Sequence, residues 1–309
     1  MENKMTLKEL LYEWIEENEK GRIKLRTYNR YRGVMERYIF PTFGETKIEE
    51  LNRRRLVDFL SFGKAEISEN TSPSPATANL ILTILHAAME YACDKEILAV
   101  NPCARIRRIK SSRKHIDAFT KEEQRRLEEC MMASLDRRLF GIRLCLYTGI
   151  RIGELLGLEW GDVDLENGVL SINKTVYRDK DFSGEWQLFV DRPKTLSSER
   201  LIPLPAWLTN EVREYQKGAK GNCLVENKKG ERMPTRSYQY LFACLTNRAG
   251  VRHLNFHALR HTFATRALEC GMDVKTLSER NASITLNLYA HSMLNTKKEA
   301  MNRMKPIFW

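Results

Sequence analysis

The sequence predicts an α+β protein that is predominantly α-helical, with a helical amino-terminal domain followed by a mostly helical domain containing a small antiparallel β-sheet. The chain of 309 residues is long for one hydrophobic core, so two domains are the default expectation. Apolar residues recur at helical spacing over the first hundred residues. Alternating and β-branched segments are concentrated in residues 162–205, which locates the sheet in the second domain.

The amino-terminal domain is predicted to contain four or five helices and no strand. Thr6 and Glu9 form a capping-box pattern that opens the first helix. Further helices are expected over about residues 27–38, 53–60 and 77–95, separated by a turn containing Pro41 and Gly44 and by a polar loop at 68–76.

A basic segment follows this helical region. Asn101 and Pro102 end the helices, and the stretch RIRRIKSSRK then carries six basic residues and no acid. We place the domain boundary here, giving domains 1–114 and 115–309. The segment is either a solvated tether or a strand crossing a phosphate backbone, where each neutralised phosphate releases a counterion. The candidate DNA contacts are Arg105, Arg107, Arg108, Lys110, Arg113 and Lys114.

The second domain begins with a helical region and continues into the sheet. Thr120 and Glu123 form a second capping box, and helical spacing extends to about Tyr147. Pro203 lies in the last predicted strand and favours either a sheet edge or an interrupted ladder, because proline has no N–H to donate to a ladder. The predicted strands are 168–172, 173–178, 186–191 and 200–205, with turns at 166–168 and 181–184.

Charge and composition narrow the classes of function. The net charge of +11 favours a polyanionic partner, with DNA or RNA first and an acidic membrane second. The amino terminus lacks a signal-peptide core, and no apolar run approaches the roughly 20 residues of a membrane span. Seven scattered cysteines indicate reduced thiols and neither a zinc site nor a disulfide framework. We therefore expect a soluble, cytoplasmic protein.

Two segments carry candidate phosphate-binding cations. In TGIRIGELLGLEW, Gly149 ends one helix and Arg151 lies near the start of the next, where free amides and a guanidinium favour a phosphate. The alternative is a structural ion pair between Arg151 and Glu154. In RPKTLSSERLIPLP, Lys194 lies near a predicted hairpin tip, where a lysine is usually only solvated.

Two later segments complete the set. In FHALRHTFATRA, helical spacing puts His257, Arg260 and His261 on one face, which can grip a phosphate. The alternative is a histidine cap and an arginine in a salt bridge. In LNLYAH, Tyr289 is a candidate nucleophile, although a lone tyrosine is normally a core or interface residue. In the helix predicted for FHALRHTFATRA, the face opposite the polar residues is expected to be buried and carries Phe256, Leu259 and Phe263.

In chain order these segments read Arg, Lys, His-x-x-Arg and Tyr, and they resemble the four motifs of the tyrosine recombinases, in particular the integrases of phages and conjugative transposons. The resemblance covers nearly the whole chain, since the helical region ending in Asn-Pro is similar to the family's core-binding domain. Each motif alone is weak evidence for this family, but four motifs in the family's order and at nearly its spacing are strong evidence.

The resemblance implies a mechanism without metal or cofactor. Tyr289 would attack a DNA phosphodiester, giving a 3′-phosphotyrosyl link and a free 5′-hydroxyl. Arg151 and Arg260 would hold the non-bridging oxygens, His257 would help the phenol to ionise, and Lys194 would protonate the leaving oxygen.

One region departs from the family pattern. No Leu-Gly-His segment precedes Tyr289, and Asn281 stands where its histidine is expected. Asn281 can donate a hydrogen bond but carries no charge. The interval from Arg260 to Tyr289 is also about four residues short, roughly one helical turn. Strand exchange by this chain therefore stays open, and a DNA-binding protein of the same fold is the first alternative.

The resemblance also implies partners. We expect double-stranded DNA with specific core sites, a homo-tetramer on DNA through the tail ending in Ile307, Phe308 and Trp309, a monomer or weak oligomer when free, and possible DNA-bending accessory factors. The alternative is that the tail packs on its own domain. We expect no arm-binding domain before Thr6, which fits either a simple recombinase or a chain that lacks that module. The competing interpretations are a type IB topoisomerase and, further off, an RNA or membrane binder explained by charge alone.

Overall fold

The computed structural model describes residues 5–62, 73–110, 117–191 and 199–272. The chain divides into two compact units. The first consists of Met1–Lys114 and Asp179–Trp186, and the second of His115–Arg178 and Gln187–Trp309. The prediction of an α+β fold dominated by helices is confirmed. No helix within the described ranges is long and apolar enough to cross a membrane.

The first unit is built around one long helix, whose residues Ile81, Ile84, Leu85 and Ala88 are fully buried. The predicted capping box is present, because the Thr6 amide donates to the Glu9 carboxylate at 2.8 Å and the Glu9 amide to the Thr6 hydroxyl at 3.3 Å. The helices are α1 (Leu7–Trp14), α2 (Leu25–Val34), α3 (Phe40–Phe43), α4 (Arg53–Phe62) and α5 (Pro75–Asp94), with π-helical turns at Ile15–Glu19 and Met35–Ile39 and a 3₁₀ turn at Ile48–Glu50.

The predicted turn at Pro41 is wrong, since this proline lies inside the short helix α3. Proline is tolerated in the first turn of a helix because its missing N–H would have no intrahelical partner there. The π-helical turn directly before α3 supplies the break in the regular hydrogen-bond ladder. The chain turns instead after Gly44, whose amide donates to the Phe40 carbonyl at 3.0 Å.

The second half of the chain alternates short helices with short strands. Its helices and strands in order are α6 (Lys121–Met132), α7 (Phe140–Thr148), α8 (Ile152–Leu155), β1 (Val163–Asp164), β2 (Val169–Ile172), β3 (Thr175–Lys180), β4 (Trp186–Asp191), β5 (Arg200–Pro203), α9 (Ala206–Gln216), α10 (Thr235–Arg248) and α11 (His257–Glu269), with 3₁₀ turns at Arg137–Leu139 and Trp160–Asp162. Within the second unit, α7 packs against α11.

The strands form two small sheets rather than one. β1, β2 and β5 pair antiparallel in that order, and β3 pairs with β4. The chain leaves the first sheet after β2, where Asn173 and Lys174 bond to the Asp162 carboxylate, both at 2.8 Å. Pro203 of β5 pairs with Val169 of β2. Because β5 has no second neighbour among the described strands, the predicted edge position of Pro203 is confirmed.

Candidate active site

Gly149 ends α7 and brings the start of α8 against α11. Its φ of 65° lies in the left-handed region, where glycine is favoured, and its amide donates to the Cys145 carbonyl at 2.9 Å. A Cβ at this position would collide with the ring of Phe263 in α11. The predicted helix end at Gly149 is therefore confirmed, and the close packing positions Arg151, two residues further on, near the polar residues of α11.

Arg260 lies under this turn. Its residue surface is only 1% exposed, and its Nη1 donates to the Gly149 carbonyl. Nε and Nη2 are buried and have no hydrogen-bond partner among the described residues. Burial and then the charge of Arg151 lower the pKa of Arg260 to about 9. The alternative of an arginine in a salt bridge is met in this segment by Arg266, which lies 2.9 Å from Glu269, whereas Arg260 forms no ion pair in the described part of the chain.

Arg151 and Glu154 form the ion pair that was the structural alternative. Arg151 caps α8, with its Nη1 at 2.8 Å from one Glu154 carboxylate oxygen and its amide at 2.9 Å from the other. The Arg151 side chain nevertheless remains 49% exposed. The ion pair therefore fixes one side of the guanidinium and leaves part of it open to another anion.

Glu154 has a second cationic partner that the sequence did not reveal. Arg200, at the start of β5, donates to both Glu154 carboxylate oxygens, at 3.1 and 2.7 Å. Burial alone would raise the pKa of Glu154, but the hydrogen bonds and charges of Arg200 and Arg151 hold it at about 2. Glu154 is therefore ionised at neutral pH.

His257 begins α11 beside the two site arginines. It does not cap the helix with its side chain; its amide instead donates to the Asn255 side chain at 3.0 Å. Although the residue is exposed, partial desolvation of the ring, followed by the charges of Arg260 and Arg151, lowers its pKa. His257 is therefore neutral at pH 7. Its ring meets that of His261 edge to face, with centroids 4.7 Å apart.

The structure thus brings three of the five predicted catalytic residues together: Arg151, His257 and Arg260. Lys194 and Tyr289 lie outside the described residues, as does Asn281, so the predictions for these three remain predictions.

The basic segment is attached to α5 of the first unit. Asn79 donates to the Ile109 carbonyl at 2.9 Å and accepts from its amide at 2.8 Å. Ile106 and Ile109 pack against the core, and the predicted cations between and beside them are exposed. The exposed cations are Arg105, Arg107, Arg108 and Lys110, whereas Arg113 and Lys114 lie outside the described residues.

One signal for Arg200 was present in the sequence. In the segment RLIP, Arg200 and Ile202 share one face by strand alternation, and Ile202 is buried. A charged residue on the inward face of a strand needs a buried partner of opposite charge. That partner is Glu154, which lies 46 positions away in the sequence, so only the three-dimensional structure identifies it.

The fold that carries this cationic cluster is that of the tyrosine-type DNA recombinases. Residues 118–295 match the phage integrase family, and residues 6–62 match the SAM-like N-terminal domain of phage integrases. The chain belongs to the phage integrase family.

Several relatives resemble nearly the whole chain. A tyrosine recombinase XerC-like protein of Caldanaerobacter subterraneus is 28% identical, covering 98% of this chain and 84% of its own length. The ICEBs1 integrase of Bacillus subtilis is 23% identical, covering 90% of this chain and 77% of its own.

Two solved structures share the fold. The integrase of transposon Tn1549, in complex with a circular intermediate DNA, is 23% identical with a TM-score of 0.81, covering 97% of this chain and 100% of its own. The lambda integrase, a tetramer bound to a Holliday junction, is 18% identical with a TM-score of 0.66, covering 89% of this chain and 76% of its own.

Proposed function

We propose that this chain is a site-specific recombinase that integrates or excises a mobile element by cutting and rejoining double-stranded DNA through Tyr289. The observation that carries the proposal is the buried Arg260, whose Nε and Nη2 have no partner among the described residues. A buried cation whose donors lack hydrogen-bond acceptors is costly. A phosphodiester oxygen presented beside Arg151 would supply the missing acceptor and charge.

The chemistry follows from the neighbours of that phosphate. The Tyr289 oxygen attacks phosphorus while the bond from phosphorus to the 5′ oxygen breaks, and the new ester retains the bond energy needed for rejoining. Arg151 and Arg260 stabilise the charge that grows on the non-bridging oxygens. A phenol has a pKa of about 10, so neutral His257 accepts its proton while Lys194 donates one to the leaving oxygen.

The DNA path and the assembly are parts of the same proposal. The basic segment contacts the phosphate backbone of a core site, as basic segments do in DNA-binding proteins. Its cations are the exposed Arg105, Arg107, Arg108 and Lys110, together with Arg113 and Lys114. We further propose domains 1–114 and 115–309, a homo-tetramer on DNA, a cytoplasmic location, and help from DNA-bending factors.

A DNA-binding protein without strand exchange is the second candidate. It is favoured by Asn281, which supplies no charge where the family pattern has a histidine, and by the short interval from Arg260 to Tyr289. The first feature removes a charge beside the phosphate and the second shortens the segment that carries the phenol, so both are expected to affect cleavage more than DNA binding.

A trapping experiment separates the candidates. Duplexes bound by the purified chain are selected from a random-sequence library, the site is footprinted, and a nicked version is prepared that loses its 5′-hydroxyl fragment after cleavage. A recombinase gives a denaturant-resistant protein–DNA adduct that Tyr289→Phe abolishes. The control Tyr240→Phe, which changes an exposed tyrosine of α10, should retain the adduct.

Three results would contradict the proposal. Tight, site-specific binding without any adduct would favour the binding protein. An adduct that survives Tyr289→Phe would exclude this nucleophile. Relaxation of plasmids lacking the selected site would indicate a topoisomerase.

A further inference from the structure

Glu154 presents an electrostatic problem for a phosphate site. Its carboxylate lies 2.8 Å from the guanidinium of Arg151, the arginine proposed to hold a DNA phosphate. A carboxylate at that distance cancels most of the charge of one arginine and repels an approaching phosphate. A lone Arg151–Glu154 pair would therefore orient the guanidinium at the expense of its attraction for the substrate.

Arg200 resolves this problem. Its two terminal nitrogens donate to the two Glu154 oxygens in a fork, and its side chain is only 15% exposed. With the two donors of Arg151, Glu154 accepts four hydrogen bonds. The three side chains together carry a net charge of plus one, which is the charge that Arg151 would offer alone.

We propose that Arg200 is a positioning residue for DNA cleavage, which compensates the charge of Glu154 and thereby lets that carboxylate orient Arg151 without neutralising it. The inference rests on the proposed function. Arg200 touches neither DNA nor the nucleophile in this scheme, because both of its terminal nitrogens are engaged by Glu154.

Loss of Arg200 should affect the cleavage step more than binding. Negative charge grows on the phosphate oxygens in the transition state, so a cationic group contributes more there than in the bound ground state. For Arg200→Gln we expect the adduct to form about tenfold to a hundredfold more slowly at saturating DNA, which is less than the roughly hundredfold to thousandfold cost of removing a group that contacts the reacting oxygen, because Arg200 acts through Arg151. Affinity for one half-site should change by less than about threefold, because many phosphate contacts contribute to it.

Arg232 provides a matched control. Its side chain is 13% exposed, and it pairs with Glu159 at 2.6 Å and with the Leu156 carbonyl, outside the candidate site. Arg232→Gln removes an arginine of similar burial, although its partner Glu159 is more exposed than Glu154. It should lower stability but leave the cleavage rate of the folded protein unchanged. Arg200→Lys keeps the charge but loses the fork, and its rate should fall between those of wild type and Arg200→Gln.

The test measures single-turnover adduct formation on the selected nicked site, half-site affinity by gel shift, and thermal unfolding for each variant. A cycle with Arg151→Lys completes it: if Arg200 acts through Arg151, the combined loss is smaller than the product of the single losses. A folded Arg200→Gln variant with the wild-type rate, equal losses of rate and affinity, or multiplicative losses in the cycle would overturn the inference. Absence of any wild-type adduct would instead reject the proposed function, on which the inference rests.

Discussion

Arg260 shows at the scale of one residue how function opposes stability. The buried guanidinium has one carbonyl partner and forms no ion pair among the described residues, and Glu154, the carboxylate that acts on its charge, is hydrogen-bonded to Arg151 and Arg200. Its pKa of about 9 reflects the cost of keeping the charge in this place. The free protein therefore stores an unfavourable interaction that a bound phosphate would relieve.

Replacing Arg260 by methionine is expected to stabilise the free protein and abolish DNA cleavage. An apolar side chain of similar length removes a buried charge that has no ion-pair partner among the described residues; replacing buried charged groups by apolar ones is often neutral or stabilising, and we expect a gain of about 1 kcal/mol. In a domain of this size that corresponds to a rise of about 2 °C or more in the unfolding temperature. Calorimetry and the trapping assay measure both effects; a destabilised Arg260→Met would show that the charge is compensated.

His261 is expected to make stability depend on pH below neutrality. Burial, then the charges of His257 and Arg260, lower its pKa from 6.5 to about 4 in the folded protein. The unfolded chain therefore binds a proton that the folded chain does not, so the free energy of unfolding decreases as pH falls from 6.5 toward 4.

The measurement is urea unfolding at pH 7 and pH 4.5. His261→Gln should lose less stability between these pH values than wild type does. The exposed His253, changed to glutamine, provides the control and should behave like wild type. An unchanged pH dependence in His261→Gln would contradict the assignment.

At the scale of elements, the turn between α7 and α8 is the most constrained part of the site. Gly149→Ala introduces both an unfavourable φ and a collision with Phe263. We expect a loss of about 2–4 kcal/mol in unfolding free energy, of which roughly 1 kcal/mol is backbone strain.

Gly250 separates the two contributions. Its φ of 62° is close to the 65° of Gly149, but an added Cβ meets nothing within 4 Å. Gly250→Ala should therefore cost only the backbone share, as measured by denaturant unfolding. Equal losses in the two variants would mean that α11 shifts to accommodate the methyl group.

The same scale shows what the sequence was able to predict. The capping boxes at Thr6 and Thr120 and the helix end at Gly149 were predictable, because each depends on residues within four positions. The helix at Pro41 was missed because a preceding π-helical turn has no clear sequence signature. The contact of Arg200 in β5 with Glu154 in α8 joins residues 46 positions apart, so it follows from tertiary packing and not from local pattern.

The candidate site was predictable to a similar degree. The identities of Arg151, His257 and Arg260 followed from motif order, whereas the burial of Arg260 did not. Its burial depends on the close approach of α11 to Gly149, which a helical-face pattern alone cannot reveal.

At the scale of the whole molecule, the net charge of +11 should make DNA binding strongly dependent on salt. Each cation that neutralises a phosphate contributes about 0.9 to the slope of log affinity against log salt concentration. Changing Arg105, Arg107 and Lys110 to glutamine should lower the slope by about 0.9 for each cation. Gel shifts over a salt series provide the measurement.

Lys217 offers a control for this prediction, because it is exposed but already paired with Glu214 at 2.7 Å. Lys217→Gln should leave the slope unchanged. A triple variant with the wild-type slope would mean that the basic segment faces solvent and not DNA.

The bond between Arg260 and the Gly149 carbonyl has a consequence for how the protein tolerates sequence change. The acceptor is a main-chain oxygen, so no side-chain replacement removes the acceptor atom itself, and the same loop carries Arg151. The distance between the guanidiniums of Arg151 and Arg260 is therefore set by the backbone of this loop. Attempts to retarget this protein by laboratory selection should find their productive substitutions far from this pair.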